Sequence, residues 1–301
     1  MPNQFLYGSV YVHRRDQVVV TGRLPALEAE QTTHDFLLFW GGGGQWKYIG
    51  YPNVVTGLVV VHTPMLEVLA LCGDGVVRGM GESGETVEVV DASADGPSSL
   101  QWLLDLRKVG NSIYTCGMAR QVYRRASPDR WLRFDSGLRT GETTGLKSIN
   151  GFSETEIYAV GFRGEIWTYD GKAWTQEPGI TNLTLQKVLC AHDLQVYICG
   201  AEGVIITGRS GRWQAVEQDL TTETFWDMTE FRNSIFLSGQ SGLFRLESDN
   251  RLSRVDMRLP HRTTTSRIDA NEEVLWSVGR EHLIVYDGEN WSEVVGPQTA
   301  K

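Results

Sequence analysis

Ile157-Tyr158-Ala159-Val160-Gly161, followed by Trp174, is the clearest copy of a unit that the chain repeats, and this repeat indicates the fold. The two clearest further copies are residues 196–200 with Trp213 and residues 275–279 with Trp291. Fainter copies place the same glycine at Gly22, Gly73, Gly117 and Gly239. From Gly73 onward the repeat glycines are 44, 44, 39, 39 and 40 residues apart, after a first step of 51. A period near 40 residues with several short strands per unit is typical of a β-propeller.

Within one repeat, residues 146–152, 156–160, 165–169 and 173–177 predict four strands. The turn at residues 161–164 joins the second strand to the third. Asp170-Gly171 begins the next hairpin, and Asp-Gly is the strongest short hairpin signal. The sequence therefore predicts an all-β, seven-bladed β-propeller of four-stranded antiparallel blades in a single domain, residues 1–301. The predicted blades are approximately 4–50, 54–91, 99–136, 144–178, 183–218, 223–256 and 263–296, with the last blade packing on the first without strand exchange.

Composition narrows the kinds of partner. The chain has 301 residues, a net charge of −9 and a pI of about 5.2. An acidic surface repels phosphate backbones, so we expect no nucleic acid partner. It would suit a basic protein partner, although acidity also serves solubility alone. The N-terminus has no secretory signal pattern, and no apolar stretch approaches the roughly 20 residues that span a bilayer. We therefore expect a cytoplasmic protein with no membrane partner.

Three of the four cysteines share one position of the repeat. Cys72, Cys116 and Cys199 each come directly before a repeat glycine, where the other blades have small or β-branched residues. We interpret this as a core position that a reduced, buried thiol can fill. Neither a CxxC nor an HxxxH spacing occurs, so we expect no metal site and no cofactor.

The hairpins from Asp170 to Trp174 and from Asp287 to Trp291 resemble degenerate Asp-box repeats of the sialidase-type propellers. The pairing of Ala-Val-Gly with a following Asp-Gly-x-x-Trp also resembles the photosystem assembly-factor propellers. The resemblance is clear over about residues 100–295 and weak before them, and it departs from the Asp-box in spacing because the Asp and Gly are adjacent. Such boxes are structural turns. The resemblance thus implies a propeller fold and suggests that the protein binds other proteins.

Sialidases carry an Arg-Ile/Leu-Pro motif whose arginine helps to clamp a substrate carboxylate. Arg23-Leu24-Pro25 looks like that motif, and Arg258-Leu259-Pro260 repeats it. No Tyr–Glu pair can be identified by spacing. A sialidase-like glycoside-processing enzyme is therefore the alternative to a binding protein. It would need Arg23 and two further arginines to converge on one pocket.

The predicted innermost strands place a polar residue just ahead of an aliphatic one in five blades. Alternation sends the two neighbours to opposite faces, with the aliphatic one between blades and the polar one near the channel. The charged members are Asp105, Lys187, Asp227 and Arg267. A ring of these residues could bind a small polar ligand. Alternatively, the same charges could only tie the blades together.

The turns after the repeat glycines form a third set, which should share one face with the loops at 137–145, 219–223 and 257–263. Loops on a rigid scaffold are where recognition residues usually lie. We predict that the partner-binding residues are Arg120, Phe162, Arg163, Glu202, Gln240, Arg280 and Glu281. Among them Phe162 has the makings of an exposed anchor.

The sequence contains no nucleophile elbow, P-loop, HExxH or dinucleotide motif. We therefore predict a non-enzymatic protein-binding propeller that presents one loop-lined face to a protein partner. A sharper form of this hypothesis is an immunity protein that neutralises a toxin domain by covering its active site. The alternatives are the sialidase-like enzyme and an assembly scaffold or chaperone.

Overall fold

The computed structural model describes residues 5–30, 34–62, 66–82, 84–138 and 144–297. The predicted start of the first blade at residue 4 lies outside these ranges, as do residues 139–143 of the loop predicted at 137–145. Within them the chain forms 28 strands in seven sheets of four, and each sheet contains four consecutive strands. The seven-bladed β-propeller of four-stranded antiparallel blades is thus confirmed.

Blade 1 contains β1 (Leu6–Arg14), β2 (Gln17–Arg23), β3 (Asp35–Trp40) and β4 (Trp46–Tyr51). Blade 2 contains β5 (Val55–His62), β6 (Leu66–Cys72), β7 (Val76–Gly81) and β8 (Gly84–Val89). Blade 3 contains β9 (Leu103–Val109), β10 (Ser112–Gly117), β11 (Val122–Ser127) and β12 (Arg130–Arg133). Blade 4 contains β13 (Leu146–Ser153), β14 (Glu156–Gly161), β15 (Ile166–Tyr169) and β16 (Trp174–Gln176).

Blade 5 contains β17 (Leu185–Cys190), β18 (Val196–Gly200), β19 (Ile205–Arg209) and β20 (Arg212–Ala215). Blade 6 contains β21 (Asp227–Phe231), β22 (Ser234–Gly239), β23 (Gly242–Leu246) and β24 (Leu252–Arg254). Blade 7 contains β25 (Arg267–Ala270), β26 (Leu275–Val278), β27 (Leu283–Tyr286) and β28 (Trp291–Glu293). The described residues also form two short helices, α1 (Pro25–Ala29) and α2 (Pro97–Leu100), and 3-10 turns at Phe162–Gly164 and Ala201–Gly203. None of these helices is long and apolar enough to cross a membrane.

The chain divides into two compact units, one of Met1–Val54 with Gln218–Lys301 and the other of Val55–Glu217. The first unit contains blades 1, 6 and 7, and the second contains blades 2 to 5. The single domain stays a prediction. Within the first unit blade 7 packs directly on blade 1: the Val12 amide donates to Asp269 Oδ2 at 2.7 Å, and the rings of Trp40 and Trp276 lie 5.0 Å apart.

The hydrophobic core lies between consecutive blades. One cluster joins Val20 and Leu38 of blade 1 to Trp276 and Val278 of blade 7. Another joins side chains of blades 3 and 4, and a third joins blades 4 and 5. Within each unit, sheets therefore bury apolar faces against the next blade, which is why the strands carry near-continuous apolar runs rather than strict alternation.

The repeat glycine is required by a close approach of two backbone segments and not by a positive φ. Gly161 has an extended backbone, with φ −168°, and the positive φ values of its turn fall on Arg163 at 58° and Gly164 at 71°. A Cβ at position 161 would collide with the carbonyl oxygen of Gly145, just ahead of the blade's first strand. Equivalent collisions would occur at Gly117, Gly200 and Gly279. Close approach of two backbones therefore explains this glycine.

Tryptophans at the start of the fourth strand of a blade hold neighbouring blades together. The indole N–H of Trp174 donates to the carbonyl oxygen of Phe134 in the preceding blade at 2.8 Å. Trp46 makes the same contact to the carbonyl of Val295 after blade 7, also at 2.8 Å. These indoles therefore link one blade to the next. The cysteines are thiols that form no disulfides, and Cys72, Cys116 and Cys199 are buried as expected.

Candidate protein-binding surface

One end of each blade carries both the turn between the second and third strands and the connection that enters the first strand. Alternating strand directions require this, and backbone hydrogen bonds show it. The Phe162 amide donates to the Gly145 carbonyl at 3.1 Å, and the Ala201 amide donates to the Thr184 carbonyl at 2.9 Å. We call this end of a blade its turn end. The predicted partner-binding residues all lie at turn ends.

Five of the seven predicted contact residues are exposed there. Arg163 and Glu202 are exposed in blades 4 and 5, where their positive φ values of 58° and 53° place them at the tips of the turns. Gln240 of blade 6 and Arg280 and Glu281 of blade 7 are exposed as well. These positions satisfy the geometric requirement for contact with a partner. Their role in binding stays a prediction.

Arg120 differs, because it is buried. Its Nε and Nη2 atoms donate to the two carboxylate oxygens of Glu165 at 2.7 Å each, and the two side chains are only 8% and 7% exposed. Thr144 and the indole of Trp167 donate to the same carboxylate at 2.9 and 3.1 Å. A partner could not reach this guanidinium without breaking the pair. Arg120 therefore joins blade 3 to blade 4.

The same network sets the ionisation of both groups. Hydrogen bonding to Glu165 raises the pKa of Arg120, since it favours the charged guanidinium. Burial by itself would raise the pKa of Glu165, but the hydrogen bonds from Arg120, Trp167 and Thr144 outweigh burial and lower this pKa. The pair is charged on both sides at neutral pH.

Phe162, expected as an exposed anchor, is half-buried. The Lys147 ammonium lies 5.3 Å from the centroid of its ring, a cation–π distance. Phe162 sits in the 3-10 turn whose neighbours Gly161 and Gly164 are buried. The ring of Phe162 is therefore packed against its own turn. Arg163 is the exposed residue of this turn.

The predicted channel residues are anchored to the blades. Asp105 accepts hydrogen bonds from the Ser148 hydroxyl at 2.9 Å and from the Ile149 amide at 3.1 Å, both in the next blade. Asp227 accepts in the same way from the Ile268 amide of the next blade at 3.3 Å. Both carboxylates are buried. These two residues thus link successive innermost strands, and the binding of a small ligand by this set stays a prediction.

The two cationic members of that set differ in burial. Lys187 is buried and lies near Asp105. Burial opposes ionisation of Asp105, but Lys187, Arg107 and the hydrogen bonds outweigh it and lower the pKa of Asp105. Arg267 is exposed at the start of β25, where its Nη1 donates to the carbonyl of Trp226 at 3.1 Å. Arg267 therefore contacts the backbone of Trp226, a residue whose side chain is exposed at the turn end.

The structure also exposes apolar side chains at the turn end: Leu220 lies in the predicted loop 219–223, whereas Trp226 and Trp102 were missed by sequence reasoning. Trp226 is 40% exposed and Leu220 is 44% exposed, and both lie in the segment that leads into the first strand of blade 6. In blade 3 Trp102, 48% exposed, holds the position that Trp226 holds in blade 6, directly before the first strand. The neighbouring Phe225 is fully buried. The sequence does contain a signal for this: Phe225 and Trp226 are adjacent, and only one of two adjacent strand residues can face the core.

A cavity of about 760 Å³ opens at the turn end between blades 6 and 7. Gln240 and Ser241 of the blade 6 turn form one wall, and the connection at residues 256–264 forms the other. The loop 257–263 and Gln240, both predicted to lie on the partner-binding face, therefore line the same cavity. Among the lining side chains are Arg254, Arg258, Arg262 and Asp256. The rim is locally rich in arginine despite the net charge of −9, so it lends no support to a basic partner at this place.

The arginine of the sialidase-like motif is already paired. Arg23 Nε lies 2.5 Å from Asp35 Oδ1, and its Nη2 lies 3.4 Å from Asp35 Oδ2. This bidentate pair within blade 1 satisfies the groups that would have to clamp a substrate carboxylate. Arg258 of the second Arg-Leu-Pro is highly exposed, with Asp256 3.8 Å away. That the hairpins belong to the Asp-box type stays a prediction.

Fold and surface together define a β-propeller with a loop-lined, partly apolar turn end, the kind of surface on which scaffolds carry recognition residues. The chain is 31% identical over 295 residues to the immune protein Tsi7 of Pseudomonas aeruginosa, and the alignment covers 94% of this chain and 95% of that protein. The chain therefore belongs to the family of the immune protein Tsi7. No protein-family model matches it.

Solved structures that resemble the chain are β-propellers of different activities. Virginiamycin B lyase from Staphylococcus aureus has a TM-score of 0.76 at 11% identity, with 94% of each chain covered. YCF48 bound to D1 peptide has a TM-score of 0.69 at 14% identity, covering 95% of this chain and 92% of the other. At such identities the likeness shows the fold alone. One of these proteins is a lyase and the other holds a peptide, so function has to be argued from the family and the site.

Proposed function

We propose that this protein is an immune protein that binds a toxin domain and covers its active site. The observation that carries the proposal is its full-length relationship to the immune protein Tsi7 at 31% identity. Neutralisation by a bound protein needs a rigid surface of complementary shape and no chemistry on the part of the binder. A propeller supplies such a surface, since its blades hold the turn ends in place.

The turn end of blades 6 and 7 is the part of the surface we propose for the contact. Trp226 and Leu220 offer apolar area, and tryptophan is enriched among the residues that dominate binding energy. The cavity between Gln240 and residues 256–264 gives a concave site into which a partner loop fits. Its arginines favour an acidic element of the partner there, whereas the net charge of −9 would attract a basic one at longer range.

The proposed function is non-enzymatic. The pairing of Arg23 with Asp35 argues against a sialidase-like carboxylate clamp. We propose that the protein acts in the cytoplasm, where an immune protein meets a toxin that has entered the cell.

The test starts from the partner. Tagged full-length protein is used to capture its partner from the native host, and the captured protein is then expressed alone in a heterologous bacterium. We expect growth arrest, and we expect co-expression of this chain to restore growth. A partner that is harmless alone, or whose toxicity persists on co-expression, would overturn the immune function and would favour the scaffold alternative.

A pair of variants tests the surface separately. Trp226→Ser should lower protection and partner affinity. Leu194→Ser serves as the matched control, because Leu194 is also an exposed apolar residue, 58% exposed, but lies in the turn between β17 and β18 at the opposite end of its blade. Equal loss of protection in both variants would contradict the turn end of blade 6 as the contact.

A further inference from the structure

Three side chains that can bind a metal ion meet at the turn end of blade 7. His261 belongs to the connection between blades 6 and 7, His282 ends the turn between β26 and β27, and Glu293 ends β28. One potential ligand atom from each lies within 4.8 Å of the other two. The three residues come from three separate segments, so no short sequence motif predicts the site.

The distances are close to those that a metal requires. His261 Nε2 lies 3.5 Å from Glu293 Oε2, and the centroids of the two imidazole rings are 5.4 Å apart. A tetrahedral zinc ion with bonds of about 2.0–2.2 Å holds its ligand atoms about 3.4 Å apart. One pair already has this spacing. Because His261 and Glu293 are exposed side chains, small rotations could bring both to His282.

The state of His282 is the second observation. Its Nδ1 atom is buried and has no hydrogen-bond partner among the described residues. A buried polar atom without a partner is unfavourable. The His261–Glu293 contact could by itself be an ordinary ion pair, but it would leave the His282 nitrogen unsatisfied. A shared metal ion would account for all three side chains.

We propose that His261, His282 and Glu293 form a zinc-binding site. Two imidazoles and one carboxylate are a ligand set that zinc uses when it keeps a fourth position open. His261 also lines the 760 Å³ cavity, so the ion would tie the connection at residues 256–264 to blade 7. The open position would be available to water or to a ligand atom supplied by a protein partner.

The test uses full-length protein that has been treated with a chelator and then titrated with Zn²⁺ against a chromophoric competitor. We expect one zinc ion per chain and a higher unfolding temperature with zinc than without it. Glu293→Gln keeps the size of the side chain but weakens the ligand, and His261→Ala removes one. Each should lower zinc affinity by about tenfold or more, while His192→Ala, at an exposed histidine of blade 5, should bind as the wild type does.

Circular dichroism of each variant establishes that it is folded. Zinc affinity equal to wild type in both Glu293→Gln and His261→Ala would overturn the site. Failure of the wild-type chain to bind zinc saturably would also overturn it and would leave an ion pair alone. The measurement needs no partner, so its outcome is independent of the proposed immune function.

Discussion

The junction of blades 3 and 4 and the junction of blades 6 and 7 are built from the same parts of the repeat. In both, a buried aspartate at the start of the inner strand, Asp105 or Asp227, accepts a backbone amide of the next blade. At the turn end they diverge. Blade 4 places Glu165 one residue before its third strand, where Arg120, Thr144 and Trp167 satisfy it.

Blade 7 has His282 at that same position, directly before its third strand. Its Nδ1 has no hydrogen-bond partner among the described residues, and a cavity opens beside it. Gln240 of the preceding turn faces solvent instead of reaching across to blade 7. The residue directly before the third strand can therefore stabilise the scaffold at one junction and be available for recognition at another.

The strongest test of this comparison removes the ion pair. Arg120→Ala leaves the buried carboxylate of Glu165 without its counter-charge, which should lower the free energy of unfolding by about 3 kcal/mol. Arg280→Ala, at an exposed turn residue of blade 7, should change it by less than about 0.5 kcal/mol. Urea unfolding followed by fluorescence measures both. Similar effects in the two variants would mean that the junctions do not differ as described.

A second test concerns what the junctions share. Asp105→Ala and Asp227→Ala each remove a buried acceptor of backbone amides, so each should cost about 2 kcal/mol of stability. Asp105→Ala should cost the more of the two, since it also removes the carboxylate that interacts with Lys187 and Arg107. A large loss of stability in one variant and none in the other would show that Asp105 and Asp227 do not play the same role at their junctions. The same unfolding assay applies.

The third test addresses recognition at the exposed junction. Trp226→Ser should weaken binding of the protein partner by about tenfold to a hundredfold, as expected for a central tryptophan at an interface. Its unfolding midpoint should stay near that of the wild type, because the ring is partly exposed and Phe225 supplies the buried anchor. Surface plasmon resonance with the captured partner measures the affinity. Unchanged affinity would place the contact elsewhere.

The smallest effect is on the dependence of stability on pH. Glu165 and Asp105 have lowered pKa values in the folded protein. Their contribution is therefore complete above the unfolded carboxyl pKa of about 4 and is lost as the pH falls through the lower folded values. Glu165→Gln should show a shallower loss of stability on acidification than the wild type does. Parallel curves from pH 7 to 3 would show that Glu165 is not ionised as described.

Much of the fold could be predicted because local chemistry repeats in it. The glycine–tryptophan period, the Asp170-Gly171 hairpin and the buried thiols all follow from rules that act over a few residues. The register of the inner strands could be predicted for the same reason: Asp105 lies opposite Cys116 and Asp227 lies opposite Ser238, each directly before the repeat glycine.

The site was harder to predict, and Arg120 shows why. Its turn position indicates exposure, but only the placement of Glu165 on the next blade determines that the guanidinium is buried. Phe162 likewise has the chemistry of an anchor but is half covered by its own turn and Lys147.

The sequence by itself determined seven blades, their strands and the end of each blade at which the variable turns lie, since these depend on local propensity and period. Which turn residues are exposed depends on tertiary structure, because burial is set by the side chains that the neighbouring blade places at the junction. It also brought His261, His282 and Glu293 together. Their meeting depends on packing among three segments that the repeat pattern does not encode.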